Sequence, residues 1–195
     1  MNLTHCAAAQ ALIGSVIEVL NQGEALLAEI ENDNYVRKFP AAFNASIGGH
    51  YRHCLDHFCS LLDAASASAD DLNYDHRERG TLVEKDRFAA LNATRALRKG
   101  YQRLPVDCLE HALEVTCQTS YTESGSQVSH STVGREIMYV VAHAVHHYAL
   151  IGIMGGLIGL KMPPGFGVAP STLKHQESVA ADVNHDPRSL ASTHR

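Results

Sequence analysis

The 195-residue sequence has no tryptophan and only six prolines. Its five cysteines (Cys6, Cys54, Cys59, Cys108, Cys117) include no C-x-x-C pair and leave an odd count. That pattern fits reduced, mostly buried thiols in the cytoplasm better than a disulfide framework. Positive charge is also short: the net charge is −5, which argues against a nucleic-acid surface built on broad cationic attraction. The N-terminus, Met1-Asn2-Leu3-Thr4-His5, has neither the basic stretch nor the apolar core of a signal peptide. The longest uninterrupted apolar run is Ala149 to Leu160, short of the roughly 20 residues a membrane span needs. These absences lead to the expectation of a cytoplasmic chain with no membrane and no nucleic-acid partner. What is abundant is histidine, 13 residues of it, in a chain that is 45% hydrophobic and 19% charged and so able to bury a core.

Four helical patterns follow from apolar residues at three- and four-residue steps. The first runs from about Thr4 to Ile30 through Leu12, Ile13, Val16, Ile17, Leu20 and Leu27. The second begins near Ser46, a good N-cap, and reaches about Ala65 with Ile47, Tyr51, Leu55, Phe58 and Leu62 on one face. A polar crossover, 69–80, precedes a third helix, which opens at Thr81-Leu82-Val83-Glu84 in capping-box form and ends near Arg103. The fourth, about Thr132 to Leu160, is apolar on nearly every side and is expected to be the most buried. Between the last two, Cys108 to Ser131 alternates apolar and polar residues around Glu123-Ser124-Gly125-Ser126, which predicts a β-hairpin. The pattern is that of an all-α four-helix bundle with a long crossover and a small hairpin. One domain is expected over residues 1–175, with Phe166 to Thr172 packed over a bundle end, and a disordered tail over 176–195.

The histidines concentrate on two helices. His50, His53 and His57 share one arc of the second helix, and His143, His146 and His147 lie on the fourth. His143 and His147, four residues apart, are one turn apart on one face, a spacing that lets two imidazoles hold one ion. A ligand from the second helix would complete a three-histidine site, with positions left for water or substrate. Other metal templates fit worse: there is no H-E-x-x-H, and no bundle histidine has a glutamate three residues before it. No serine or cysteine sits on a glycine-flanked nucleophile turn.

Ser46-Ile47-Gly48-Gly49-His50-Tyr51-Arg52-His53 resembles the second-helix motif of the DinB/YfiT-like superfamily of four-helix-bundle metalloproteins, and His143-Ala144-Val145-His146-His147 resembles its fourth-helix H-x-x-x-H. The resemblance implies a divalent metal (zinc, nickel or iron) on His53, His143 and His147. His50 and His57 are alternative ligands or candidate general acid/base residues. It further implies thiol-dependent group transfer or isomerisation with a low-molecular-weight thiol cofactor. Hydrolysis by metal-bound hydroxide and a non-catalytic metal-binding bundle are the alternatives. Tyr148-Ala149-Leu150 stands where many members of that superfamily carry Arg-Gly-Gln.

Other residues carry weaker signals. Tyr74 to Arg79 is dense in ionisable groups, and Arg77 or Arg79 is a candidate holder of an anionic substrate. Cys54 and Cys59 read as small buried fillers. The expected partners are a small-molecule substrate and a second copy of the chain in a homodimer.

Overall fold

The computed structural model describes residues 3–76 and 80–185. In chain order these form helix α1 (Leu3–Glu29), short helix α2 (Asn32–Val36), strands β1 (Lys38–Phe39) and β2 (Ala45–Ser46), and helix α3 (Ile47–Ala67). Strand β3 (Asp71–Asn73), one-turn helix α4 (Leu82–Lys85) and helix α5 (Arg87–Arg103) follow. The chain then runs through β4 (Ala112–Cys117), β5 (Gln127–Thr132), α6 (Val133–Leu157) and α7 (Pro170–His185). The architecture is mostly helical with small sheets.

The four long helices pack pairwise, α1 against α5 and α6, and α3 against the same two. Their apolar stripes meet in one core: Ile13, Leu20 and Leu27 of α1, Tyr51 and Phe58 of α3, Leu97 and Tyr101 of α5, Ile137 and Tyr148 of α6. The start of α3 is set as its sequence predicts, the Ser46 hydroxyl accepting from Gly49 N–H at 3.1 Å. Gly48 follows because a Cβ there would run into the Glu84 carbonyl, so only glycine allows this approach of α3 to α4.

Several elements differ from the sequence reading. The third helix is broken: Thr81 makes no side-chain cap, and α4 stops after one turn. Asp86, in extended backbone, caps α5 instead, accepting from Phe88 N–H at 2.7 Å and Ala89 N–H at 3.2 Å. A carboxylate at an N-terminus also meets the positive end of the helix dipole, an advantage that Thr81 lacks. The break redirects α5 so that the Arg87 guanidinium reaches the Leu27 carbonyl at 2.8 Å.

The hairpin forms as β4 antiparallel to β5, with Val115 opposite Ser129. A third strand joins it from the crossover, β3 running parallel to β4 with Leu72 opposite Val115. Leu72 is the lone apolar residue of that strand, too short a pattern to reveal alternation. Helix α6 is not buried all round: Met138, Ile153 and Leu157 are 59%, 64% and 63% exposed. By length and composition both α1 and α6 could cross a membrane, a test that core helices of soluble proteins also pass. The segment from Gln176, expected to lack structure, continues as α7 to His185. The remainder of that tail lies outside the described residues. Phe166 packs on the helices as expected, its ring stacked on Tyr148 at 4.6 Å.

Candidate functional site

Helices α3 and α6 lie side by side, and their histidines meet between them. On α3, steps of three and four residues place His50, His53 and His57 along one flank. On α6, steps of four place Tyr139, His143 and His147 along the facing flank. The His53 and His143 Nε2 atoms are 3.0 Å apart. One turn nearer the start of α3, the Nδ1 atoms of His50 and His147 approach to 2.9 Å. The His53 ring also lies 4.7 Å from that of His147 and 4.5 Å from that of His57. Five of the six bundle histidines are therefore in one cluster. His146 is exposed at its rim, its ring 5.4 Å from that of His147.

Among the described residues, His53, His57 and His143 bring three ligand nitrogens within 4.8 Å of one another. His147, paired with His50 through Nδ1, is not one of that trio. His57 is buried, its Nδ1 against the His53 carbonyl at 3.0 Å. Its ring is stacked between His143 at 4.4 Å and Tyr74 at 4.9 Å.

Burial disfavours the charged form of His147 and His50. Burial pushes His147 down to about 3, with the neighbouring His143 and His50 adding to the effect. His50 is lowered too, by burial first and then by His146. A charged imidazolium would lose its hydration here and face other rings that want the same proton. Neutral rings keep a nitrogen lone pair, the form that accepts a hydrogen bond or ligates a cation.

Two residues in the cluster were not singled out from the sequence: Tyr139, half-buried and stacked on His143 at 5.6 Å, and Tyr74. The Tyr74 hydroxyl donates to the buried Glu136 carboxylate at 2.9 Å, which also accepts from Ser131 at 2.6 Å. Glu136 thereby ties the crossover and the hairpin to the start of α6 and holds the Tyr74 ring against His57. The signal for Tyr139 was its position four residues before His143. For Tyr74 it was only its place in the ionisable crossover segment, where no periodicity ties it to His57.

The remaining candidates are dispersed. Cys54 is buried, and burial raises its thiol well above the usual range. Cys59 is exposed rather than a buried filler, and burial of its thiol group together with Asp63 pushes it up to about 11. Neither is a thiolate at neutral pH. Asp56 pairs with Arg52. Arg77 and Arg79 lie outside the described residues.

Apart from the cluster, a cavity of about 500 Å³ opens between α1 and α6. Its wall is apolar, built from Ala8, Ala11, Leu12, Met138, Val141 and Val145, with Ala169 and Pro170 at one end.

No protein-family profile matches the chain, and no solved structure matches it. Among curated proteins, the chain is 36% identical over 104 residues to FK506-binding protein 5 of Rhizopus delemar. The match takes in 53% of this chain and 27% of that protein, so the chain spans about a quarter of the relative's length. This similarity corrects the functional expectation drawn from the sequence. That protein is named for binding FK506, and its name gives no support to a metal-dependent thiol transferase or hydrolase of the DinB/YfiT-like kind.

Proposed function

We propose that this chain is a ligand-binding module of the FK506-binding-protein kind, with rotation about an Xaa–Pro peptide bond as its candidate reaction. The observation that carries the reading is the 36% identity over 104 residues to FK506-binding protein 5. The proposed chemistry needs no metal, cofactor or covalent step. Isomerisation of an Xaa–Pro amide is slow, tens to hundreds of seconds uncatalysed, because turning the C–N bond breaks amide resonance. The twisted amide is less charge-separated than the planar one. A water-poor apolar wall therefore favours the twisted form, and binding that form more tightly accelerates the reaction. The cavity between α1 and α6 supports this reading, since its volume and lining are those of a small-ligand site.

The test is a calorimetric titration of FK506 into the full chain, with exchange NMR on an Xaa–Pro peptide. Saturable binding and faster cis–trans exchange, both lost in Val141→Arg, are expected. No saturable binding together with exchange at the uncatalysed rate overturns the proposal.

For the architecture, we propose the finer reading of a four-helix bundle of the DinB/YfiT-like type. The pairing of α1 and α3 each with α5 and α6 supports it. Its test is the helix order and handedness in an experimental structure set against that fold.

A second reading concerns the imidazole cluster and is a statement about binding alone. We propose that His53, His57 and His143 hold one divalent transition-metal ion, supported by the convergence of their ligand nitrogens within 4.8 Å. A donor set made only of imidazole nitrogens suits such an ion. This set takes His57 in place of the His147 implied by resemblance. Equilibrium dialysis of chelator-treated protein against Co²⁺ tests it. Stoichiometric Co²⁺ is expected, with its visible absorption lost in His57→Gln; no retained Co²⁺ overturns it.

A further inference from the structure

We infer that the cluster contains a second cation subsite, formed by His50 and His147 at its rim with His146 as the third donor. The inference rests on the cation reading of the inner trio and extends it to residues which that trio leaves aside. His50 and His147 come from different helices, yet their Nδ1 atoms face each other at 2.9 Å. Two imidazoles sharing a tetrahedral ion, each about 2.0–2.1 Å from it, set their nitrogens roughly 3.3 Å apart. The observed pair needs to open by only a few tenths of an ångström.

The Nε2 atoms of His53 and His143 are in the same relation at 3.0 Å, so the arrangement occurs twice along the α3–α6 seam. The chemistry of the two places differs. The inner trio includes the buried His57 and is walled by Tyr74 and Tyr139. The outer pair is half-buried and has the exposed His146 ring beside it, 5.4 Å from His147. An exposed histidine on a helix can change rotamer at little cost, so His146 is able to turn towards an ion at the rim. With two or three imidazoles and open positions for water, the outer subsite suits a divalent transition-metal ion and exchanges it more readily than the inner one. Because His147 spends Nδ1 on this outer position, its absence from the inner trio has a structural reason.

The alternative, two imidazoles joined by a plain N–H···N bond, is an outcome of the test. Co²⁺ bound per full-length chain is counted by equilibrium dialysis and elemental analysis, in wild type, His50→Gln and His57→Gln. Circular dichroism confirms that each variant is folded. Two ions per wild-type chain are expected. His50→Gln should retain only the tighter, and His57→Gln only the weaker. One ion per wild-type chain, undiminished in His50→Gln, overturns the second subsite and leaves the inner one standing. No bound Co²⁺ overturns both. Should His50→Gln fail to fold, wild type loaded with two equivalents of Cu²⁺ decides. A magnetically coupled pair in its electron paramagnetic resonance spectrum supports the subsite, and an uncoupled single-ion spectrum overturns it.

Discussion

At the scale of the residue, His147 shows how position alters a side chain's chemistry. Its imidazole has an ordinary value of 6.5 when solvated and is held down to about 3 in the folded chain. Between those values the unfolded chain binds a proton that the folded chain does not, so acid favours unfolding. Stability of chelator-treated protein should therefore decline as pH falls from about 6.5 towards 3, where the loss is complete. His50, lowered in the same direction, adds to the upper part of that window. Urea midpoints measured across the range check this, and His147→Gln should flatten the profile. A midpoint that holds or rises on acidification would refute the burial argument. Spacing marked His143 and His147, resemblance added His53, and all three are in the cluster. Spacing did not separate the trio of converging nitrogens from the His50–His147 pair, because that depends on which ring nitrogen faces inward.

At the scale of the element, the break between α4 and α5 is the most informative departure. The capping-box form of Thr81-Leu82-Val83-Glu84 reads as the helix start, so the sequence reading runs one helix across Asp86. The Asp86 carboxylate ends that continuity by capping α5, and the extended residue turns the chain. Asp86→Ala removes both acceptor interactions, and a loss of about 1 kcal/mol is expected by chemical denaturation. An unchanged midpoint would mean that packing of α5 on α1 alone sets the helix start. The predicted hairpin formed because each of its strands has six residues, long enough for alternation to be legible. Its parallel neighbour β3 has three, and its place is decided by Leu72 entering the core rather than by local preference.

At the scale of the whole molecule, the four long helices form the shared core, and α7 stands apart from it. Residues 171–181 of α7 are exposed apart from the half-buried Leu173. Ending the chain after Ala169 should therefore shift the melting temperature by no more than about 2 °C, since about 1 kcal/mol moves a chain of this size by roughly 2–4 °C. A larger fall in a thermal melt would show that α7 contributes to the core after all. The two proposed sites also separate at this scale. The imidazole cluster is on the α3 side of α6 and the apolar cavity on its α1 side, so the proposed ligand binding and the proposed cation binding can be tested one at a time.

The sequence by itself determined that the chain is mainly helical, where α1, α3 and α6 run, and that histidines recur along α3 and α6. Each of these follows from residue type and period, which are local properties. Tertiary structure alone decided three things. It set α3 beside α6 so that His50 meets His147 and His53 meets His143. It brought Tyr74 from an irregular crossover onto His57 through Glu136. It left one flank of α6 exposed although its composition suggested burial on every side. The physical reason is the same in each case: these contacts join residues far apart in the chain, and local patterning carries no information about which faces will meet. The histidine abundance, taken as a sign of metal chemistry, likewise described residues that can come together and not the activity they serve.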